Sequence, residues 1–292
     1  MWDLLVLGIM AGGVLALVAV GLTLIFGVMD VMNFAHGEFV MLGIMGTIVV
    51  VTTTGMNPYL AGLLVVLASL PLAFLVYIAI IRPTLGKSIN VQIFTTLGLS
   101  IALQAVALMA FGSRTFAISD PFASSRVDVF GVQVEAGRVI AFLGGILLVA
   151  ALWFFLYRTR MGKQIRAVSE DNYAAKVVGL RINRTYAIVF MLGTAFAVAA
   201  GVLLAPFTSV NSTTGLNYVL TSFVIVVLGG FGSVGGAFIG GLLVGIIETF
   251  TGYFFGTQWM QASIFVLFVL VLALRPRGLF GKKSLDSAMV GG

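Results

Sequence analysis

Residues Arg158–Arg184, RTRMGKQIRAVSEDNYAAKVVGLRINR, form the longest polar run in the chain and carry seven of its sixteen basic residues. The sequence on either side is apolar, so each hydrophobic segment is oriented by the membrane face that this loop occupies. Within it, Ser169 is placed to cap a short helix running to about Val178, because a serine oxygen accepts the unpaired N–H groups of a first turn. Gly179 follows where helices commonly end in the left-handed conformation. Ile165, Val168, Ala175 and Val178 fall on one apolar stripe, leaving Arg166, Glu170, Asp171 and Lys176 in water. Such a loop lies along the membrane surface and offers a lever to a soluble partner. A solvated connector whose charges only fix topology fits the same residues.

Composition sets the class. Hydrophobic residues make up 60% of the 292 and charged residues 9%, whereas soluble domains are about 25% charged. Mean hydropathy is +1.16. The expectation is an all-α polytopic membrane bundle of about eight or nine transmembrane helices, one pair broken or re-entrant, in a single transmembrane domain over residues 1–292. Glycine accounts for 36 residues, which suits close helix contacts in lipid. The net charge of +6 gathers at the ends of apolar spans, so it reads as topology and not as a nucleic-acid groove. With no cysteine, disulfides and thiolate metal sites are excluded. The N-terminal MWDLLVLGIM lacks a basic leader and a small-residue cleavage site, and reads as a retained first span.

In chain order, spans are expected at 4–27, 37–54, 59–81, 91–112, 138–157, 185–206, within 218–250, and at 258–274. Gly8, Gly12 and Ala16, and later Gly193, Ala197, Gly201 and Ala205, recur every fourth residue and make small-residue faces. In the fourth span Gln92, Thr96, Ser100 and Gln104 line one helix face with polar groups, which should turn away from lipid. Between spans four and five, VDVFGVQVEAG alternates like a small hairpin.

Thirteen of the sixteen basic residues lie in the turn at 82–90, the loop at 158–184 and the C-terminal tail. Basic residues concentrate on the cytoplasmic side, which places those three segments inside and 113–137 outside. The crossings between Arg184 and Arg275 must then be even in number, so 218–250 starts and finishes outside. A straight helix over that segment would run about 50 Å at ~1.5 Å per residue, too long for a core near 30 Å. It must be a hairpin or a re-entrant pair. The same parity puts the N-terminus outside and the C-terminus in the cytoplasm.

Motifs for soluble chemistry are weak. Gly230-Phe-Gly232-Ser-Val-Gly235 satisfies G-x-G-x-x-G without a βαβ context and reads as a tight turn between membrane helices. Leu85-Gly-Lys87-Ser resembles the end of a phosphate loop, but Ile81 stands where its first glycine belongs. His36 is the only histidine, so a multi-histidine metal site is excluded; near Glu38 it suits a proton relay or a structural role. Glu248 sits in an apolar helix, where a charge costs about 2.5–3.5 kcal/mol on insertion scales, and should face a polar interior or the outer surface. No nucleophile, base and orienter stand together, which argues against an enzyme. The breaks at 28–38 and 229–236 are where irregular backbone should line a cavity, and a Gly, Phe, Gly pattern before a fresh helix hints that they correspond. Asn33, Phe34, His36, Glu38, Gln92, Thr96, Ser100, Gln104, Phe231 and Glu248 form the candidate substrate path.

At this point GLTLIFGVMDVMNFAHGEFVMLG (21–43) resembles the corresponding segment of LivH-type permeases of branched-chain amino acid ABC importers. MGKQIRAVSEDNYAAKVVGL, FGSVGGAFIGGLLVGIIE and the terminal RPRGLFG are similar to that family in the same order. Ala174-Ala175-x3-Gly179 also matches part of the EAA signature of importer permeases, with Tyr173 in place of its glutamate. The resemblance implies a transport subunit in a bacterial inner membrane that pairs with a homologous second permease. It implies two cytoplasmic ATPase subunits docked on the 158–184 loop through Arg166, Asp171, Asn172, Ala174, Ala175 and Gly179, with ATP and Mg bound in those partners and no cofactor in this chain. A periplasmic binding protein would deliver an aliphatic amino acid. Urea or short amides are the rival substrates, and a secondary transporter, using Asp30, His36, Glu38 or Glu248 for a coupling ion, is the rival class.

Overall fold

A computed structural model describes residues 1–118, 120–275 and 278–279; most of the RPRGLFG motif and of the basic tail, including Ser284, lies outside them. In order the elements are α1 (Trp2–Met29), α2 (His36–Thr54), α3 (Pro58–Val76), α4 (Ile89–Phe111), β1 (Arg126–Val129), β2 (Val132–Glu135), α5 (Ala136–Arg158), α6 (Arg160–Glu170), α7 (Asn172–Val177), α8 (Ile182–Leu204), α9 (Thr214–Gly229), α10 (Val234–Phe254) and α11 (Met260–Leu274). A π turn and a 3-10 turn extend α3 to Thr84, and a 3-10 turn precedes α11. Among the described residues eight helices are long and apolar enough to cross a membrane, and α9 is a shorter apolar helix.

Local chemistry sets the boundaries. Asn57 accepts from the Tyr59 N–H at 3.0 Å ahead of Pro58 at the start of α3, and Ser233 accepts from the Gly236 N–H at 3.0 Å to cap α10. The apolar 218–250 segment is two helices, because Gly230 and Gly232, at φ 91 and 76, turn the chain between α9 and α10. These are the backbone angles only glycine adopts at little cost. The expected hairpin is present, with Val127 opposite Val134.

Helices α1 and α8 form the centre and are the most buried spans. Small residues let them approach their neighbours: a Cβ on Gly12 would lie 2.7 Å from the Gly241 carbonyl oxygen of α10, and Gly201 abuts Val40 of α2. Close backbone contact replaces the hydrophobic drive that lipid does not supply. Around this centre, α3, α4, α5 and α11 expose Leu63, Phe94, Leu147 and Val266, a surface suited to hydrocarbon.

The bundle has two distinct ends. At one, Trp2 donates to the Phe130 carbonyl at 3.2 Å, Val6 and Met10 pack on Val132 and Val134 of the hairpin, and Phe116 bridges to Val210. At the other, Gly27 meets Gly232, the Tyr77 hydroxyl donates to the Asn183 carbonyl at 3.0 Å, and the Leu279 N–H reaches the Leu228 carbonyl at 2.7 Å. The start of the chain and residue 279 therefore lie at opposite ends.

The 158–184 loop folds differently from the single Ser169-capped helix expected. It holds two helices, broken at Asp171 (φ −153, ψ 104). Asp171 is the cap of α7, accepting from the N–H groups of Tyr173 at 2.8 Å and Ala174 at 2.9 Å. Ser169 donates to the Arg166 carbonyl within α6 instead. The break changes the helical phase, so Val178 is exposed while Ile165, Val168 and Ala175 are buried. Arg166 is held against the end of α5, its Nε donating to the Leu156 carbonyl at 3.2 Å and its guanidinium lying 4.5 Å from the Tyr157 ring. Gly179 has φ 85, as expected for a left-handed stop.

Candidate functional site

Two helices begin inside the bundle. After α1, residues 30–35 run back without helical structure, and α2 starts where His36 Nε2 donates to the Val18 carbonyl at 3.0 Å. Val18 is near the middle of α1, so α2 starts well inside that end of the bundle. From the opposite end, residues 205–213 leave α8 and return inward to α9. The first turns of α2 and α9 then touch: Gly37 abuts the Gly215 carbonyl, and a Cβ on Gly215 would overlap the Glu38 carboxyl. The segments α1–α2 and α8–α9 thus follow one plan in opposite senses. Their correspondence pairs 30–35 with 205–213, not with 229–236 as the Gly-Phe-Gly pattern suggested; 229–236 is a tight turn against Gly27.

Glu38 stands at this junction, fully buried. Its Oε1 accepts from Ser100 Oγ at 2.9 Å and from Gln104 Nε2 at 2.6 Å, while Thr96 Oγ1 donates to the Met32 carbonyl at 2.9 Å. The polar stripe of α4 therefore faces the bundle and meets the irregular stretch before α2. Glu38 lies in the first turn of α2 and its carboxyl packs against Gly215 in the first turn of α9, where helix N-termini carry partial positive charge. Its Oε2 has no hydrogen-bond partner among the described residues, so the two α4 donors satisfy only one side of a carboxyl whose burial is costly. Asn33, also fully buried, accepts from the Ala35 N–H at 3.2 Å, and Phe34 stacks on Phe223 of α9 at 4.7 Å between centroids.

Other candidate path residues lie elsewhere. Gln92 is buried nearer the start of α4, donating to the Lys87 carbonyl at 3.4 Å. Phe231 sits on the turn before α10, 4.5 Å from the Phe26 ring, and not at the junction. His36 points to α1 and Glu38 to α4, so no hydrogen bond joins them. Glu248 is remote from Glu38: it lines a separate cavity of about 260 Å³ near the hairpin end, with Arg138, Tyr218 and the aliphatic side chains of Val14 and Leu15. Arg138 and Tyr218 were missed in the sequence because neither falls in a break or on a polar stripe.

At the loop, Ala175 is only 4% exposed and packs into its own chain. It presents no surface to a partner. Tyr173, Val177 and Val178 are 79%, 71% and 75% exposed, an apolar patch beside a groove lined by Asn172, Lys176, Arg181 and Tyr186.

A glycine-packed bundle with re-entrant breaks meeting inside it, and an amphipathic helix pair on one face, defines a multi-pass transport subunit. A family model described as branched-chain amino acid transport system / permease component matches residues 4–274, and the chain belongs to that family. It is 31% identical to the high-affinity branched-chain amino acid transport system permease LivH of Escherichia coli, over 96% of this chain and 95% of that one. It is 31% identical to BraD of Pseudomonas aeruginosa, over 97% and 96%. Among solved structures, PsaBC from Streptococcus pneumoniae in complex with Fab matches with a TM-score of 0.50 at 17% identity, covering 93% of this chain and 91% of that one; this likeness concerns the fold. Family membership makes the chain a permease component of an ABC transporter, working with ATPase and permease subunits. It is a transport component, not an enzyme, and the secondary-transporter alternative is set aside.

Proposed function

We propose that this chain forms half of the transmembrane pathway of an importer for branched-chain amino acids. Two cytoplasmic ATPases drive it, and a periplasmic binding protein delivers the substrate. The observation that carries the reading is its end-to-end similarity to LivH and BraD, over 96% and 97% of the chain. The loop end of the bundle, with α6 and α7, faces the cytoplasm of a bacterial inner membrane. The hairpin end, with the N-terminus, faces the periplasm. The thirteen basic residues of the three cytoplasmic segments support this orientation.

The packing supports a mechanism driven from the loop. ATP and Mg bind in the partner subunits, whose closure pulls on the exposed patch Tyr173, Val177 and Val178. Helix α7 passes the pull to α6, which buries Ile165 and Val168 in the core and is tied to α5 through Arg166. From there it reaches α1 and α8, which cross at Gly21 and Gly193, beside His36 and the junction. Backbones meeting without interlocked side chains allow the helices to rock. Helix α4, joined to the junction by the Glu38, Ser100 and Gln104 contacts, is carried with it.

Reconstitution with the partner subunits tests the proposal. ATP hydrolysis should rise with leucine-, isoleucine- or valine-loaded binding protein. Stimulation by a urea- or amide-loaded protein alone would replace the substrate assignment.

A further inference from the structure

The cavity near the hairpin end is not needed for the coupling mechanism, yet it holds an acid that has no apparent structural use. Glu248, on the apolar helix α10, makes no hydrogen bond or ion pair among the described residues. Across the cavity stands Arg138 of α5. Its Nε is taken by Glu135 at 2.8 Å and its guanidinium lies 5.2 Å from the Phe207 ring, which leaves both terminal amines without a hydrogen bond among the described residues. The Tyr218 and Thr208 hydroxyls line the same space, and Val14 and Leu15 supply an aliphatic wall. Glu248 is half-buried, and an ionisable side chain within a membrane-spanning helix is a functional-site candidate by default. At about 260 Å³ the space is just below the roughly 300–1,000 Å³ of sites for drug-sized ligands, and suits a smaller molecule.

We propose that this cavity is a substrate-receiving site within the permease itself. It binds a zwitterionic aliphatic α-amino acid, with the ammonium on Glu248, the carboxylate on the Arg138 amines and the side chain against Val14 and Leu15. The site explains why one acid and one base face a common apolar space at the end where substrate arrives. It rests on the reading of the chain as an amino acid importer, and adds that the permease recognises the ligand's charged backbone after the binding protein releases it.

The test uses the assembled transporter in phosphatidylcholine and phosphatidylglycerol vesicles, which carry no primary ammonium headgroup. A diazirine analogue of leucine serves as photolabel, and incorporation into peptides of α1 and α10 is measured. Wild type should be labelled, with excess leucine competing well and 4-methylpentanoate, which lacks the ammonium, competing about tenfold less well. Glu248→Gln should remove that discrimination and raise the KM for transport, while Glu248→Asp, which keeps the charge, should restore it. Absence of labelling in wild type, or unchanged discrimination in Glu248→Gln, overturns the site. Stimulation of wild-type ATP hydrolysis by leucine-loaded binding protein in the same vesicles reports separately on the importer reading.

Discussion

Gly21 and Gly193 cross so closely that a Cβ on Gly21 would lie 2.6 Å from the Gly193 carbonyl oxygen, and one on Gly193 2.7 Å from that of Gly21. The contact is reciprocal and backbone to backbone, so no side chain can yield. Gly193→Ala therefore sets a gain in helix propensity of up to about 1 kcal/mol against overpacking of about 1–3 kcal/mol. The net expectation is a lower thermal midpoint for the purified transporter and reduced transport. Gly98→Ala, with open space around its Cβ, is the control and should be neutral or stabilising. Equal midpoints for the two variants would mean that the crossing tolerates separation.

Removing the donors to Glu38 should expose the cost of a buried carboxylate. Ser100→Leu with Gln104→Leu leaves Oε1 without its two side-chain partners. A lost hydrogen bond to a charged group costs about 1.5–3 kcal/mol, so stability and transport both fall. Adding Glu38→Leu should recover much of the stability, because an apolar replacement of a buried polar set is often tolerated, without recovering transport. Thermal unfolding beside uptake separates the two; full transport in the triple variant would reduce the junction to a packing device.

Docking of the ATPase should depend on the exposed apolar patch. Val177→Asp with Val178→Asp is expected to abolish ATPase pull-down while membrane insertion stays normal. Ala175→Trp should instead lower the stability of the permease, since that side chain is buried in its own chain. Retained pull-down and transport by the aspartate pair would return the loop to the status of a connector.

The α7 cap offers a graded version of the same experiment. Asp171→Ala removes the acceptor for two N–H groups, worth about 1 kcal/mol, and should weaken substrate-stimulated ATP hydrolysis; Asp171→Ser should lose less. Gly179→Leu meets no neighbouring atom but forces φ 85 on a branched residue, at about 1–2 kcal/mol, so its defect should be moderate. Complete loss of coupling in Gly179→Leu would point to a partner packed on that position.

Orientation is testable because the chain has no native cysteine. Single cysteines at Ser88 and Ser169 should react only from the cytoplasm and at Ser124 only from the periplasm. All three positions are exposed. Periplasmic labelling of Ser169 would reverse the bundle and remove the docking proposal with it.

The sequence alone determined the class, the number of apolar segments, the small-residue faces and the inward turn of the α4 stripe. These depend on composition and on periods of about four residues, which a helix converts directly into faces. It also located the loop and the break before α2. Tertiary structure decided what each feature meets. Glu38 and Gln104 are 66 positions apart, and no local period announces that they share a hydrogen bond. The second re-entrant stretch, 205–213, looked like a polar loop, since only its return into the bundle distinguishes it from one at the surface. Glu248 and Glu38 both read as acids in apolar surroundings, yet one closes a junction and the other lines a cavity with Arg138. In the coupling loop the phase was lost at Asp171, where one non-helical residue rotated Val178 outward and left Ala175 inside. Helical period survives only as far as the helix, and beyond the break the packing of each helix sets which side is buried.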